Sequence, residues 1–104
     1  MHELPELPEL PELAAFAPCV GQAFRLELES GEALELELIE AEALPAAKGA
    51  PRQDPFCLLF RAPAGCNLPQ SMYTLAHGQL GAVPMFLVPV GQREDRLLLE
   101  AIFN

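Results

Sequence analysis

The sequence predicts an all-β domain: a small antiparallel six-stranded barrel or barrel-like sandwich, with a short helical turn near residues 13–19. Three observations predict it. Apolar and charged residues alternate with a period of two from residue 24 to residue 43, four more short apolar or alternating runs follow at close spacing, and Gly/Pro clusters separate them. A chain of 104 residues, 51% apolar and 20% charged, carries enough material for one hydrophobic core and not for two. Residues 13–104 are assigned to that single domain and residues 1–12 to an extension.

The extension repeats Glu-Leu-Pro from Glu3 to Leu13. A proline at every third position removes backbone donors, fixes φ and pushes each preceding leucine toward extended geometry, so neither an α-helix nor a central strand can form. The segment is expected to be extended or disordered. In polyproline II geometry Leu4, Leu7, Leu10 and Leu13 fall along one edge, with the glutamates along another, and that leucine edge is a candidate docking element. Leu13–Val20 follows as a helical turn anchored by Phe16 and stopped by Pro18 and Gly21.

Phe24, Leu26 and Leu28 then alternate with Arg25, Glu27 and Glu29; beyond Ser30-Gly31, Leu34, Leu36 and Leu38 alternate with Glu35 and Glu37. A three-residue loop, Ser30–Glu32, would set Leu28 opposite Leu34, Leu26 opposite Leu36 and Phe24 opposite Leu38, with Gly31 supplying positive φ. Arg25 would then face Glu37 and Glu27 would face Glu35. The alternation slips at Leu38-Ile39, after which Ile39, Ala41 and Ala43 form the apolar set. A slip of one residue marks a bulge or sharp bend.

Pro45–Pro55 has no periodicity and is expected to be a mobile loop. Phe56–Phe60 is apolar on both faces and reads as a buried strand, Ala62–Pro69 as a loop, and Gln70–His77 as an alternating strand with Tyr73 and Leu75 on one side. Gly78 and Gly81 bracket the next turn. Val83–Val90 and Leu97–Phe103 complete the set; Pro84 and Pro89 place the former at an edge or on a bulge, since proline cannot donate to a ladder.

The formal charge is −9, and residues 1–42 hold eleven glutamates against the single Arg25. Such a surface repels phosphate backbones and anionic lipid, so neither nucleic acid nor a membrane is an expected partner. Three cysteines, Cys19, Cys57 and Cys66, cannot all pair within one chain and show no C-x-x-C spacing, which indicates a reduced, cytoplasmic setting. No basic start leads into an apolar run, and no apolar stretch is long enough for a membrane helix.

Phe56-Cys57-Leu58-Leu59-Phe60-Arg61, Leu68-Pro69-Gln70-Ser71-Met72-Tyr73, His77, Phe86-Leu87-Val88-Pro89-Val90-Gly91 and Glu100-Ala101-Ile102-Phe103-Asn104 together carry a resemblance. The chain from residue 13 on is similar to a family of small bacterial proteins known only as a domain of unknown function. The resemblance implies no activity, cofactor or site, and associates the chain with phage-tail-like assemblies. The Glu-Leu-Pro repeat is peculiar to this chain, and Leu99 stands where the family has an aromatic residue.

No residue pattern points to catalysis or to a metal. His77 stands alone beside Gly78 and reads as a strand-end residue bonding within its turn; Cys66 has no histidine or helix start to activate it; the glutamates of the first hairpin lie on a flat ladder that cannot wrap a cation. No enzyme activity and no cofactor are therefore expected. Loops of rigid β scaffolds present binding residues, so Asn67, Gln70, Tyr73 and His77, with Leu4, Leu7 and Leu10 of the extension, form the expected interaction surface. The function they suggest is a non-enzymatic protein-interaction or structural accessory module with an unidentified protein partner, its oligomeric state left open. The alternative is a small-ligand-binding barrel carrying an apolar molecule.

Overall fold

The computed structural model describes residues 11–45 and 55–103. The Glu-Leu-Pro repeat with Leu4, Leu7 and Leu10, and most of the expected mobile loop, lie outside the described residues. Six antiparallel strands close into a barrel: β1 (Ala23–Glu27), β2 (Ala33–Ala43), β3 (Phe56–Ala64), β4 (Ser71–His77), β5 (Gly81–Arg93) and β6 (Arg96–Phe103), in the order β1-β2-β3-β6-β5-β4 and back to β1. Closure removes the sheet edges that would otherwise leave a row of backbone groups unpaired.

The alternation sorts side chains as expected. Phe24, Leu26, Leu36 and Leu38 are buried, as are Phe56, Leu58, Phe60 and Ala62 of β3, and Arg25, Glu27 and Glu35 are exposed. The hairpin register, however, differs from the expected one by two residues. Leu26 pairs with Leu34, Phe24 with Leu36 and Arg25 with Glu35. The loop is three residues long but is Glu29–Gly31, closed by Leu28 N–H donating to the Glu32 carbonyl at 2.8 Å, with Gly31 at φ 93°. A shift of two keeps every side chain on its face, so alternation cannot choose between the registers. Charge pairing separates them: Glu27 now faces Ala33 instead of Glu35, and Glu37 is released to accept a hydrogen bond from Arg61 of β3.

The slip in β2 is a bulge between Leu38 and Glu40. Ile39 is its extra residue and Ala41 resumes the inward set, paired with Leu58, whereas Ala43 is exposed. The expected loop from Ala62 also begins later than predicted, because β3 runs on through Pro63 to Ala64 across a second irregularity. Strand β5 changes partner along its length. Gly81–Leu87 pair with β4, Val88–Arg93 pair with β6, and a bulge at Pro89/Gly91 lies just beyond the hand-over. Both outcomes that proline allowed are found: Pro84 lies where β5 is paired with β4 alone, and Pro89 lies at the bulge.

Beyond that bulge β5 continues to Arg93 and turns at Glu94-Asp95, both at positive φ (53° and 66°). This is the two-residue turn whose twist suits a hairpin, built without its usual Asn-Gly or Asp-Gly, which is why the sequence does not announce it. Two L-residues in left-handed geometry are strained. Replacing the pair by Asn-Gly (Glu94→Asn with Asp95→Gly) is expected to raise unfolding stability by about 1 kcal/mol, read from urea midpoints; no gain would show that the turn carries no strain.

Each end of the barrel is filled by a separate segment. At one end α1 (Leu13–Phe16) and a 3₁₀ turn (Ala17–Cys19) insert Phe16, whose ring lies 5.8 Å from both Phe56 and Phe103 and 6.3 Å from Phe24. At the other end the β3–β4 connection buries Leu68. Leu44 N–H donates to the Pro55 carbonyl at 2.8 Å, just beyond the paired ends of β2 and β3. Among the described residues no helix is long and apolar enough to cross a membrane.

Candidate functional site

The expected surface residues divide between the two ends of β4. Tyr73 alternates inward, paired with the buried Met85, and its hydroxyl donates to the Pro69 carbonyl at 2.6 Å. Asn67 and Gln70 are exposed on the connection beside it. His77 lies about 13 Å along the strand from Tyr73, given roughly 3.3 Å per residue, and closes the β4–β5 turn. Its Nδ1 accepts from the N–H groups of Gln79 (3.1 Å) and Leu80 (3.4 Å), which leaves Nε2–H to donate to Gln22 Oε1 at 2.7 Å. The ring also packs on Phe24 at 4.7 Å. Both ring nitrogens are thus engaged within the fold, as the reading of a turn-bonded strand-end residue expects.

Asn67, Gln70 and Tyr73 therefore share one end, where the barrel wall opens. Strands β1 and β4 are joined by two register pairs, Arg25 with Ala76 and Leu26 with Leu75. Toward Ser71 the strands diverge, because β1 ends at Glu27 and the chain turns away into the Glu29–Gly31 loop. A cleft of about 540 Å³ lies between them, with Leu28, Met72 and Tyr73 contributing apolar surface and Glu27 and Glu29 carboxylates. A neighbouring cleft of about 340 Å³, also lined by Leu28, runs under the connection past Cys66 and Asn67.

Two of the three thiols, Cys66 beside the second cleft and Cys57 on β3, are held protonated. Burial pushes the Cys66 thiol up; Cys57 is raised by burial first and then by Glu100, Glu42 and Glu40; the Tyr73 phenol is raised by burial and then by Cys66. Since the thiolate is the nucleophile and the metal ligand, this environment works against both roles. All three cysteines are free. No group of three or more His, Cys, Asp or Glu side chains that could hold a metal occurs among the described residues.

Sequence reasoning missed a second feature on the outer face. Met72 of β4 and Phe86 of β5 are cross-strand partners, 60% and 46% exposed, and Ile102 of β6 is 52% exposed. A signal was present: Phe86 and Ile102 fall at the outward positions of otherwise buried alternations, where a polar residue is usual.

A family model described as "Domain of unknown function (DUF6916)" matches residues 11–103. The chain belongs to that family. Neither a curated protein nor a solved structure matches it. The residues that carry the DUF6916 resemblance have structural work here. Phe56, Leu58 and Phe60 line the interior and Arg61 binds Glu37; Leu68, Pro69 and Tyr73 make one unit, an end plug whose carbonyl receives the tyrosine hydroxyl; Pro89 and Gly91 form the bulge after β5 changes partner.

Proposed function

We propose that this DUF6916 chain is a non-enzymatic protein-interaction module that uses the outside of its barrel. The supporting observation is the outward Met72–Phe86 pair, with Ile102 also exposed on β6. Three large apolar side chains on the face of a small sheet lose water-exposed area only when something covers them, and each fully buried side chain of this kind contributes about 1.5–3 kcal/mol. The interior favours this reading over a carrier of apolar molecules. Phe16, Phe24, Phe56, Phe60 and Phe103 are packed with ring centroids 4.6–6.3 Å apart, so the space a ligand would need is taken by side chains.

The free thiols and the acidic surface suit a cytoplasmic bacterial protein. The resemblance adds a phage-tail-like assembly as the setting in which such an accessory module would act. The leucine edge of the extension, Leu4, Leu7 and Leu10, is a second element such a partner could engage.

The test is affinity capture from the native host with the full-length protein and with the double variant Met72→Asp/Phe86→Asp. The wild type is expected to retain a stoichiometric protein partner, and the variant, melting at the same temperature, to retain at least tenfold less. Equal retention by both, or none by either, would overturn the assignment.

A further inference from the structure

The opening between β1 and β4 has a property the Met72–Phe86 pair does not share. All seven residues of β4 pair with β5, but only Leu75 and Ala76 pair with β1. Successive residues of a strand direct their N–H and C=O groups to opposite flanks, so two of the four residues Ser71–Thr74 aim theirs at the β1 side. Of these two, Met72 and Thr74, Thr74 lies beside the Leu26–Leu75 pair and faces Glu27, whereas Met72 has no register partner on β1. The stretch is about 13 Å long at roughly 3.3 Å per residue, room for a strand of four or five residues. It also lacks the usual protection. Where β5 runs without β6, from Gly81 to Leu87, Pro84 interrupts the row of donors, whereas Ser71–Thr74 contain no proline and no charge.

The walls select what could enter. Glu27 and Glu29 line the cleft; Glu27 is shared with Arg25 at 3.3 Å in a solvent-exposed pair, which is worth little, and Glu29 has no ion-pair partner among the described residues. The chain as a whole carries −9. An incoming acidic segment would be repelled and a basic one drawn in.

We infer that the β1–β4 opening accepts an extended segment of a partner protein, with lysine or arginine at alternate positions, which adds to β4 as a further strand. Its backbone pairs along the β1 flank of β4 at Met72, one set of alternate side chains lies over Leu28 and Tyr73 on the inner side, and the basic set meets Glu27 and Glu29 on the outer side beside Met72. This rests on the interaction-module reading and gives it a partner class.

The test uses capped five-residue peptides and the full-length protein. Lys-Val-Lys-Val-Lys is expected to bind and to slow amide exchange within Ser71–Thr74. Glu-Val-Glu-Val-Glu, and a copy of the basic peptide N-methylated at alternate residues along its pairing edge, should each bind at least tenfold more weakly. Glu27→Lys/Glu29→Lys, which changes exposed side chains only, should weaken the basic peptide at least tenfold with melting unchanged. Equal binding of the N-methylated peptide would reduce the effect to surface charge, and protection confined to other residues would place the site elsewhere; either result overturns the inference. So would failure of the basic peptide to bind, or self-association through Ser71–Thr74 as the only protection seen. Loss of capture by the Met72/Phe86 variant, tested separately, would stand through any of these outcomes.

Discussion

Phe16→Ala is expected to lower unfolding stability by roughly 3–5 kcal/mol, the range for truncating a fully buried phenylalanine. For a domain of this size that corresponds to a fall in Tm of more than about 10 °C. The reason is positional. Phe16 is the one ring that touches β1, β3 and β6 together, through Phe24, Phe56 and Phe103, and it is completely buried at the end of the barrel. Its helix has four residues, so it has almost no stability of its own and depends on this contact. Domains are stable by only about 5–15 kcal/mol, so the variant would lose a large share of the total. Calorimetry of the two proteins decides it: a loss below about 1 kcal/mol would mean that the segment rests on the barrel without closing it.

Leu75→Asp should have a still larger effect. Leu75 is fully buried and forms, with Leu26, one of the two pairs that join β4 to β1. A carboxylate there has no cationic partner, and removing it from water costs several kcal/mol in addition to the lost leucine packing. The expected result is loss of cooperative melting and of dispersed amide resonances at neutral pH. The adjacent Ala76→Asp is the control. Ala76 is exposed and sits across from Arg25, so its variant should melt within about 0.5 kcal/mol of wild type. Two aspartates one residue apart, one abolishing the fold and one nearly silent, would verify the inward–outward assignment of β4 directly. Equal effects would refute it.

Much of the architecture is legible in the chain because the physical signal is local. Leu26 and Leu36 against Glu27 and Glu35 show which face is wet; the slip at Leu38-Ile39 marks the bulge; Gly31 marks the tight hairpin; Pro18 and Gly21 end the helical turn. The less legible parts have equally definite causes. The Glu94-Asp95 turn uses residues that do not advertise left-handed geometry, and the extension of β3 through Pro63 relies on Arg96, whose guanidinium donates to the Ala62 carbonyl at 2.9 Å from 34 positions along the chain. Of the residues proposed for binding, Asn67, Gln70 and Tyr73 come together at the open end while His77 is engaged at the other. Residue type and loop context alone could not separate them.

By itself the sequence determined the inside and outside of β1, β4 and the first half of β2, the strand count and the bulge in β2, since all of these depend on neighbours one or two positions away. Only the tertiary structure decided the strand order, the hairpin register and the opening beside β4. Registers two residues apart bury the same leucines, so the choice falls to contacts remote in the chain, such as Glu37 with Arg61. The opening exists because β1 runs out of residues before β4 does, and that is visible only once the two strands stand side by side.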